Sequence, residues 1–265
     1  TSTRGNTDIV NFKEVTLSGL SKDGGLYVPK SWRKVNLDFN QDKPNFKEIA
    51  FSVLENFVGN TLSKNKLESI INKSYEDFSS NDITPLKKVS DSLYILELFH
   101  GPTLAFKDIA LQFLGNLFNH YLNKNQTKLT IIGATSGDTG SAAIEAIKNQ
   151  KNTNIFILHP HKRVSEFQRR QMTTIATNNV FNIAVRGTFD DCQELVKKLF
   201  NDKETNMHVK LGSINSINWT RIMAQISYYV FAYYKIRKKT KKDIVFSVPT
   251  GNFGDAYAGY LAKEK

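Results

Sequence analysis

The sequence predicts an α/β fold: open, mostly parallel sheets with flanking helices, behind a mainly helical N-terminal domain. Three observations predict it. From about residue 93 onward, short apolar runs alternate with amphipathic stretches, which is the pattern of parallel strands joined by crossover helices. Three of those runs end in loops rich in Gly, Ser, Thr or Pro just before a helix, at the strand ends where open α/β sheets bind ligands. Before residue 90 the apolar residues recur at helical spacing instead.

Residues 1–90 are read as the N-terminal domain. In it DGGLYVP (23–29) is a turn followed by a short apolar piece. Pro44 and Asn45 give a helix-start signal, and Phe46, Ile49, Ala50, Val53, Leu54 and Phe57 follow at helical spacing. Leu67, Ile70, Ile71 and Phe78 mark a second helix. Residues 91–205 are read as an α/β domain and 206–265 as the start of a larger one. Strands are expected at 93–98, 129–132, 154–158, 180–185 and 244–248, with helices between them, one over 218–236.

A chain of 265 residues, 40% hydrophobic and 11% aromatic, is long enough for two units around a shared core and has the composition of a soluble globular protein. It has no apolar run of roughly 18 residues, and its start TSTRGNTDIV lacks the apolar centre of a signal peptide, so no membrane span and a cytoplasmic location are expected. The net charge of +11 suits nucleic acid, a membrane surface or anionic small molecules. The densest basic run, KIRKKTKK (235–242), falls between a helical pattern and an apolar run and reads as a solvated connection. Without aromatic residues interleaved among the charges, nucleic-acid binding is disfavoured. Cys192, beside Asp191, reads as a small buried hydrophobe, and His159 and His161 lack any accompanying metal-ligand spacing, so no metal site is expected. Oligomeric state has no sequence signal here.

Chemistry concentrates in the three loops. In FHGPTLAFKD (99–108), Gly101 and Pro102 break a strand and Asp108 is placed to cap the helix carrying Phe113, Leu114, Leu117 and Tyr121. Lys107 then sits at a helix entrance, beside the positive end of the dipole and among Leu104, Ala105 and Phe106. That setting favours a nucleophilic amine able to form a Schiff base; the loop alone equally fits an exposed lysine. His100 reads as a satisfied polar turn residue, with a contact to a bound cofactor as the alternative. In ATSGDTGSAA (134–143), Ser136, Gly137, Asp138, Thr139 and Gly140 lead into a helix of small residues whose open amides suit a carboxylate or phosphate; a tight turn without ligand is the plain alternative. The spacing fits neither G-x-G-x-x-G nor the P-loop, which disfavours a nucleotide. In PTGNFGDAYAGY (249–260), Thr250, Gly251, Asn252, Phe253 and Gly254 form a second such cradle. Two anion cradles and a loop lysine together suit a small ligand with a phosphate at one end and a carboxylate elsewhere.

In this order and spacing, FHGPTLAFKD, ATSGDTGSAA and PTGNFGD resemble the threonine synthases of the fold-type-II pyridoxal-phosphate enzymes. DGGLYVP and NSINWTRI (215–222) are similar to further segments of that family. The resemblance implies the fold-type-II arrangement, with pyridoxal 5'-phosphate attached to Lys107 and its phosphate held by Thr250, Gly251, Asn252, Phe253 and Gly254. Ser136, Gly137, Asp138 and Thr139 would grip the substrate carboxylate. Related enzymes often carry Asn in place of Asp138, so the threonine synthase branch is favoured over the cysteine synthase one.

The substrate implied is O-phospho-L-homoserine, and Asn215, Asn218 and Arg221 are the candidates for its phosphate, with a structural ion pair as the alternative for Arg221. The reaction implied is γ-elimination of phosphate and β-hydration to L-threonine, with Lys107 moving most of the protons. Two alternatives stand beside it. One is another pyridoxal-phosphate lyase, forming 2-oxobutyrate from phosphohomoserine or a hydroxy amino acid; the other is a non-catalytic relative. Family members continue well beyond residue 265, and the hydroxyl residue that faces the pyridine nitrogen is expected there. The chain therefore reads as an N-terminal portion with an incomplete cofactor domain, inactive on its own.

Overall fold

The structure, a computed structural model, describes residues 1–5, 9–31, 34–35, 44–216, 218–251 and 253–264, with the Asn206 side chain left aside. The N-terminal helices are α1 (Phe12–Ser18), α2 (Phe46–Val58) and α3 (Lys64–Ser74). Asn45 starts α2 through a reciprocal cap: its Oδ1 accepts the Glu48 N–H at 3.0 Å while Glu48 Oε2 accepts the Asn45 N–H at 2.9 Å. Phe78, expected on the second helix, lies past its end and packs edge-on against Tyr75 instead. Helix α1 was not foreseen, because seven residues hold too little periodicity to register.

The main sheet is parallel, in the order β5 (Val180–Val185), β4 (Thr153–Pro160), β3 (Leu129–Ala134), β6 (Leu211–Gly212). Leu129 pairs with Thr153 and Ala134 with Leu158, while Ile155 pairs with Val180 and Pro160 with Val185. Alternation along the strands gives each face its own cover. Leu129, Ile131, Ile155 and Ile157 join the large core with helices α4 (Lys107–Asn125) and α5 (Asp138–Ile147); Ile132 and Leu158 meet Cys192 and Val196 of α7 (Phe189–Asn201) on the other face. Helices α6 (Glu166–Thr173) and α8 (Lys203–His208) complete the crossovers. Helix α9 (Trp219–Arg237), apolar nearly all round, is buried along most of its length among α2, α4 and α10 (Gly254–Lys263).

Two expected strands differ. Residues 93–98 do not join the parallel sheet: β2 (Tyr94–Leu96) pairs antiparallel with β1 (Leu86–Lys88) in a two-stranded sheet of its own. A tight turn decides this, since the N–H groups of Val89 and Ser90 both donate to Leu93 O and Lys88 reaches Asp91 at 2.7 Å. Residues 244–248 form no strand, because among the described residues no neighbouring strand offers them a hydrogen-bond ladder, and Val245 is 89% exposed. No described helix is long and apolar enough to cross a membrane.

Phe46, on α2, stands edge-on to Tyr75 at 5.3 Å and to Phe231 of α9 at 5.6 Å, fully buried. Phe46→Ala is expected to destabilise the intact protein by about 3–5 kcal/mol in urea unfolding, against about 1 kcal/mol for Asn45→Ala.

Candidate active site

Lys107 is the first residue of α4. The turn before it is closed by Leu104 N–H to Gly101 O at 3.1 Å and Asp108 N–H to Ala105 O at 3.0 Å, with Leu104 at φ +59°. Asp108 does not cap the helix end as expected. Phe106 is already helical in backbone, so Asp108 falls inside the first turn and reaches back along the loop. There it accepts the Thr103 N–H at 2.8 Å and the Thr103 hydroxyl at 2.6 Å. Burial pushes its carboxyl upward, against these hydrogen bonds. Gly101 is required in this turn, since a Cβ there would stand 2.5 Å from Asp108 Cβ. Of the apolar neighbours expected around Lys107, Leu104 is 60% exposed, whereas the Phe106 ring centroid lies 4.3 Å from Nζ. The Lys107 side chain is only 15% exposed, and its Nζ donates to Asp138 Oδ2 at 2.6 Å.

That contact joins the first loop to the second. The second loop is folded around Thr135, which sequence reading had not singled out: its Oγ1 accepts the N–H of Gly137 at 3.0 Å and of Gly140 at 2.9 Å and donates to Gly137 O at 3.1 Å. Helix α5 begins at Asp138, and the amides of Asp138 and Thr139 have no acceptor among the described residues, which leaves an open helix N-terminus flanked by the Ser136 and Thr139 hydroxyls. Ser136 is exposed and Thr139 half-buried.

The segment before α9 links the second loop to the third. Asn215 stands beside β3, its Oδ1 3.7 Å from where a Gly133 Cβ would lie, and Ser216 abuts Gly254, the first residue of α10. Asn218 is fully buried and used by the backbone: it caps α9 by accepting the Thr220 N–H at 2.9 Å and donates to Thr16 O and Ser213 O. Arg221, 3% exposed, donates through Nη1 to Ile214 O at 2.9 Å, and its buried Nε has no partner. No carboxylate ion-pairs with it among the described residues. Burial pulls its guanidinium down to about 10, against the opposing pulls of Tyr228 and Asp138. Lys107, Asp138 and Arg221 thus share one neighbourhood.

In the third loop Gly251 is open on the side a Cβ would occupy, while Thr250 and Phe253 are exposed; Asn252 lies outside the described residues. Asp255, in the first turn of α10, accepts hydrogen bonds from the hydroxyls of Tyr228 and Tyr229, whose ionisation burial pushes well upward. A cavity of about 750 Å³ runs from Phe99 and Phe106 in the lysine loop, past Tyr228 and Asp255, to residues 244–249. Among the described residues no three His, Cys, Asp or Glu side chains are grouped to hold a metal ion.

A family model described as pyridoxal-phosphate dependent enzyme matches residues 80–265, and one described as threonine synthase N terminus matches residues 1–75. The chain belongs to the pyridoxal-phosphate-dependent enzyme family. It is 49% identical to a threonine synthase of Pseudomonas aeruginosa, over 99% of this chain and 56% of that protein, and 48% identical to one of Schizosaccharomyces pombe, over 99% and 53%. Among solved structures, the PLP-bound threonine synthase from Brucella melitensis superposes with a TM-score of 0.91 at 43% identity, covering 99% of this chain and 57% of that one. The chain spans about half the length of the curated relatives it matches. The local chemistry fits a pyridoxal-phosphate-dependent enzyme: a mostly buried lysine next in sequence to Phe106 of the cavity wall, open amides at α5, and at α10 a glycine turn with room beside Gly251.

Thr135→Val is expected to leave the Gly137 amide without its acceptor, while the Gly140 amide keeps Gly137 O at 3.1 Å, and to cost about 1–3 kcal/mol; Thr135→Ser restores most of it, and thermal unfolding of the intact protein measures both.

Proposed function

We propose that the whole protein is a threonine synthase, converting O-phospho-L-homoserine and water to L-threonine and phosphate with pyridoxal 5'-phosphate carried on Lys107. The observation that carries this reading is the 2.6 Å contact between Lys107 Nζ and Asp138 Oδ2, which sets a reactive amine at the rim of an open helix N-terminus. The likeness to threonine synthases along nearly the whole chain supports it.

In this reading each group has a task. The amides of Asp138 and Thr139, with the Ser136 and Thr139 hydroxyls and the Gly137 turn, hold the substrate's α-carboxylate. Thr250, Gly251, Asn252, Phe253 and Gly254, ahead of α10, hold the cofactor's phosphate, and Asp255, held by Tyr228 and Tyr229, anchors that helix start. Arg221, a buried cation without a carboxylate partner among the described residues, attracts the substrate's phosphate together with Asn215; Asn218 shapes the segment that carries both. When bound, the cofactor supplies an electron sink that makes the protons on the substrate's α- and β-carbons removable. Lys107 removes these protons at Nζ, and Asp138 and the Phe106 ring hold that nitrogen in place. Phosphate leaves from the γ-carbon and water adds at the β-carbon.

Two experiments test this. Borohydride reduction of the intact, cofactor-loaded protein is expected to fix the cofactor on Lys107 in peptide maps, with no adduct in Lys107→Ala, and phosphohomoserine to yield L-threonine and phosphate in equal amounts. An adduct elsewhere overturns the lysine assignment, and release of 2-oxobutyrate reassigns the reaction. Arg221→Met is expected to raise KM for phosphohomoserine by about tenfold or more while thermal stability is nearly kept, because removing a desolvated charge offsets the lost bond to Ile214. An unchanged KM removes Arg221 from the substrate site.

A further inference from the structure

Helix α6 lies across both ligand loops and touches them with three side chains. Gln171 Nε2 donates to Thr103 O in the lysine loop at 2.9 Å. Met172 is fully buried against Gly140, where a Cβ would stand 2.6 Å from its sulfur. Gln168 lies directly on Gly137: a Cβ there would stand 2.1 Å from Oε1 and 2.8 Å from Nε2. The first contact is a satisfied hydrogen bond and the second is apolar packing. The third places a carboxamide on the residue that immediately precedes the open amides of Asp138 and Thr139.

The orientation of that carboxamide is set by its own helix cap. Ser165 Oγ accepts the Gln168 N–H at 3.3 Å, so its hydroxyl proton is directed to Gln168 Oε1, 3.0 Å away. Nε2 is left as a donor for which the described residues supply no acceptor, on a half-buried side chain.

We propose that Gln168 is a specificity-determining residue of this cradle, whose Nε2 donates to the substrate's α-carboxylate beside the amides of Asp138 and Thr139. The proposal rests on the reading that this loop holds the carboxylate. Beside the Asp138 and Thr139 amides and the Ser136 and Thr139 hydroxyls of the loop itself, Gln168 is a donor that approaches the cradle from another helix, α6. A neutral donor also suits this position, because a second cation beside Asp138 would compete with Lys107 for its carboxylate. The absence of a side chain at residue 137 is what lets the carboxamide approach so closely.

The test is spectral titration of the intact, cofactor-loaded protein with L-threonine and with L-threoninamide, which differ only at the carboxyl group. Wild type is expected to bind threonine the more tightly. Gln168→Glu, which sets a negative charge where the donor was, is expected to weaken threonine about tenfold or more and threoninamide less than about twofold. Gln168→Met, of similar length without a donor, falls between. Wild type indifferent to the amide overturns the carboxylate reading of the loop. Wild type that discriminates, with variants that discriminate as well as it does, overturns the role of Gln168 alone.

Discussion

The site depends on how closely α4 and α5 lie side by side. Lys107 opens α4 and Asp138 opens α5; eight residues further into each helix, Gly115 meets Ala146, where a Cβ on Gly115 would stand 2.5 Å from the Ala146 carbonyl oxygen. Eight residues are about 12 Å of helix, so the two helices run alongside each other in near register from their starts. Any larger residue at 115 would push the pair apart and separate Nζ from Oδ2. Gln150 adds a polar clamp to the same seam, donating to both Gly115 O and Ala146 O at 2.9 Å. The lysine's position is therefore a consequence of helix packing a dozen ångströms away as much as of its own loop.

The second constraint is charge. Arg221 is buried with no ion-pair partner among the described residues, while Lys107, close by, has Asp138. Burying an unpaired cation is costly, and a fold that does so has a standing attraction for anions. The excess of basic residues is consistent with anionic ligands, though part of it lies on exposed surface, such as Lys238, Lys239, Lys241 and Lys242. What singles out the site is Arg221, the one buried cation that lacks an ion-pair partner among the described residues.

Much of this was legible in the chain and some was not, for identifiable reasons. The strands at 129–132 and 154–158 were readable because both faces of the sheet are covered there and their apolar runs are nearly continuous, while 180–185 kept an apolar run at the sheet edge, where Phe181 and Ile183 are exposed. The runs at 93–98 and 244–248 look the same locally, but what a strand becomes depends on its neighbours: one closes on Leu86–Lys88 through a tight turn, and the other has no described partner. The three loops were visible as glycine and hydroxyl clusters. Asp108 was misplaced by two residues, because an acid near a helix start reads as a cap whether it stands at the cap or inside the first turn. Thr135 and Gln168 went unmarked: Thr135 works through two amides within a loop already noticed, and Gln168 lies 31 residues from Gly137, the glycine it covers, where no local pattern reaches.

The geometry also explains how an acid can sit in a loop whose amides attract anions. A free carboxylate at Asp138 would repel an incoming carboxylate at close range. Its side chain is instead turned to Lys107, whose Nζ donates to its Oδ2 at 2.6 Å, so the acid is engaged away from the cradle while the amides of Asp138 and Thr139 stay open among the described residues. An asparagine here would leave the amides as they are but would lose the ionic half of the contact with Lys107. The choice of acid over amide at residue 138 therefore acts on the lysine rather than on the cradle, and it couples the two loops electrostatically as well as through the helices behind them.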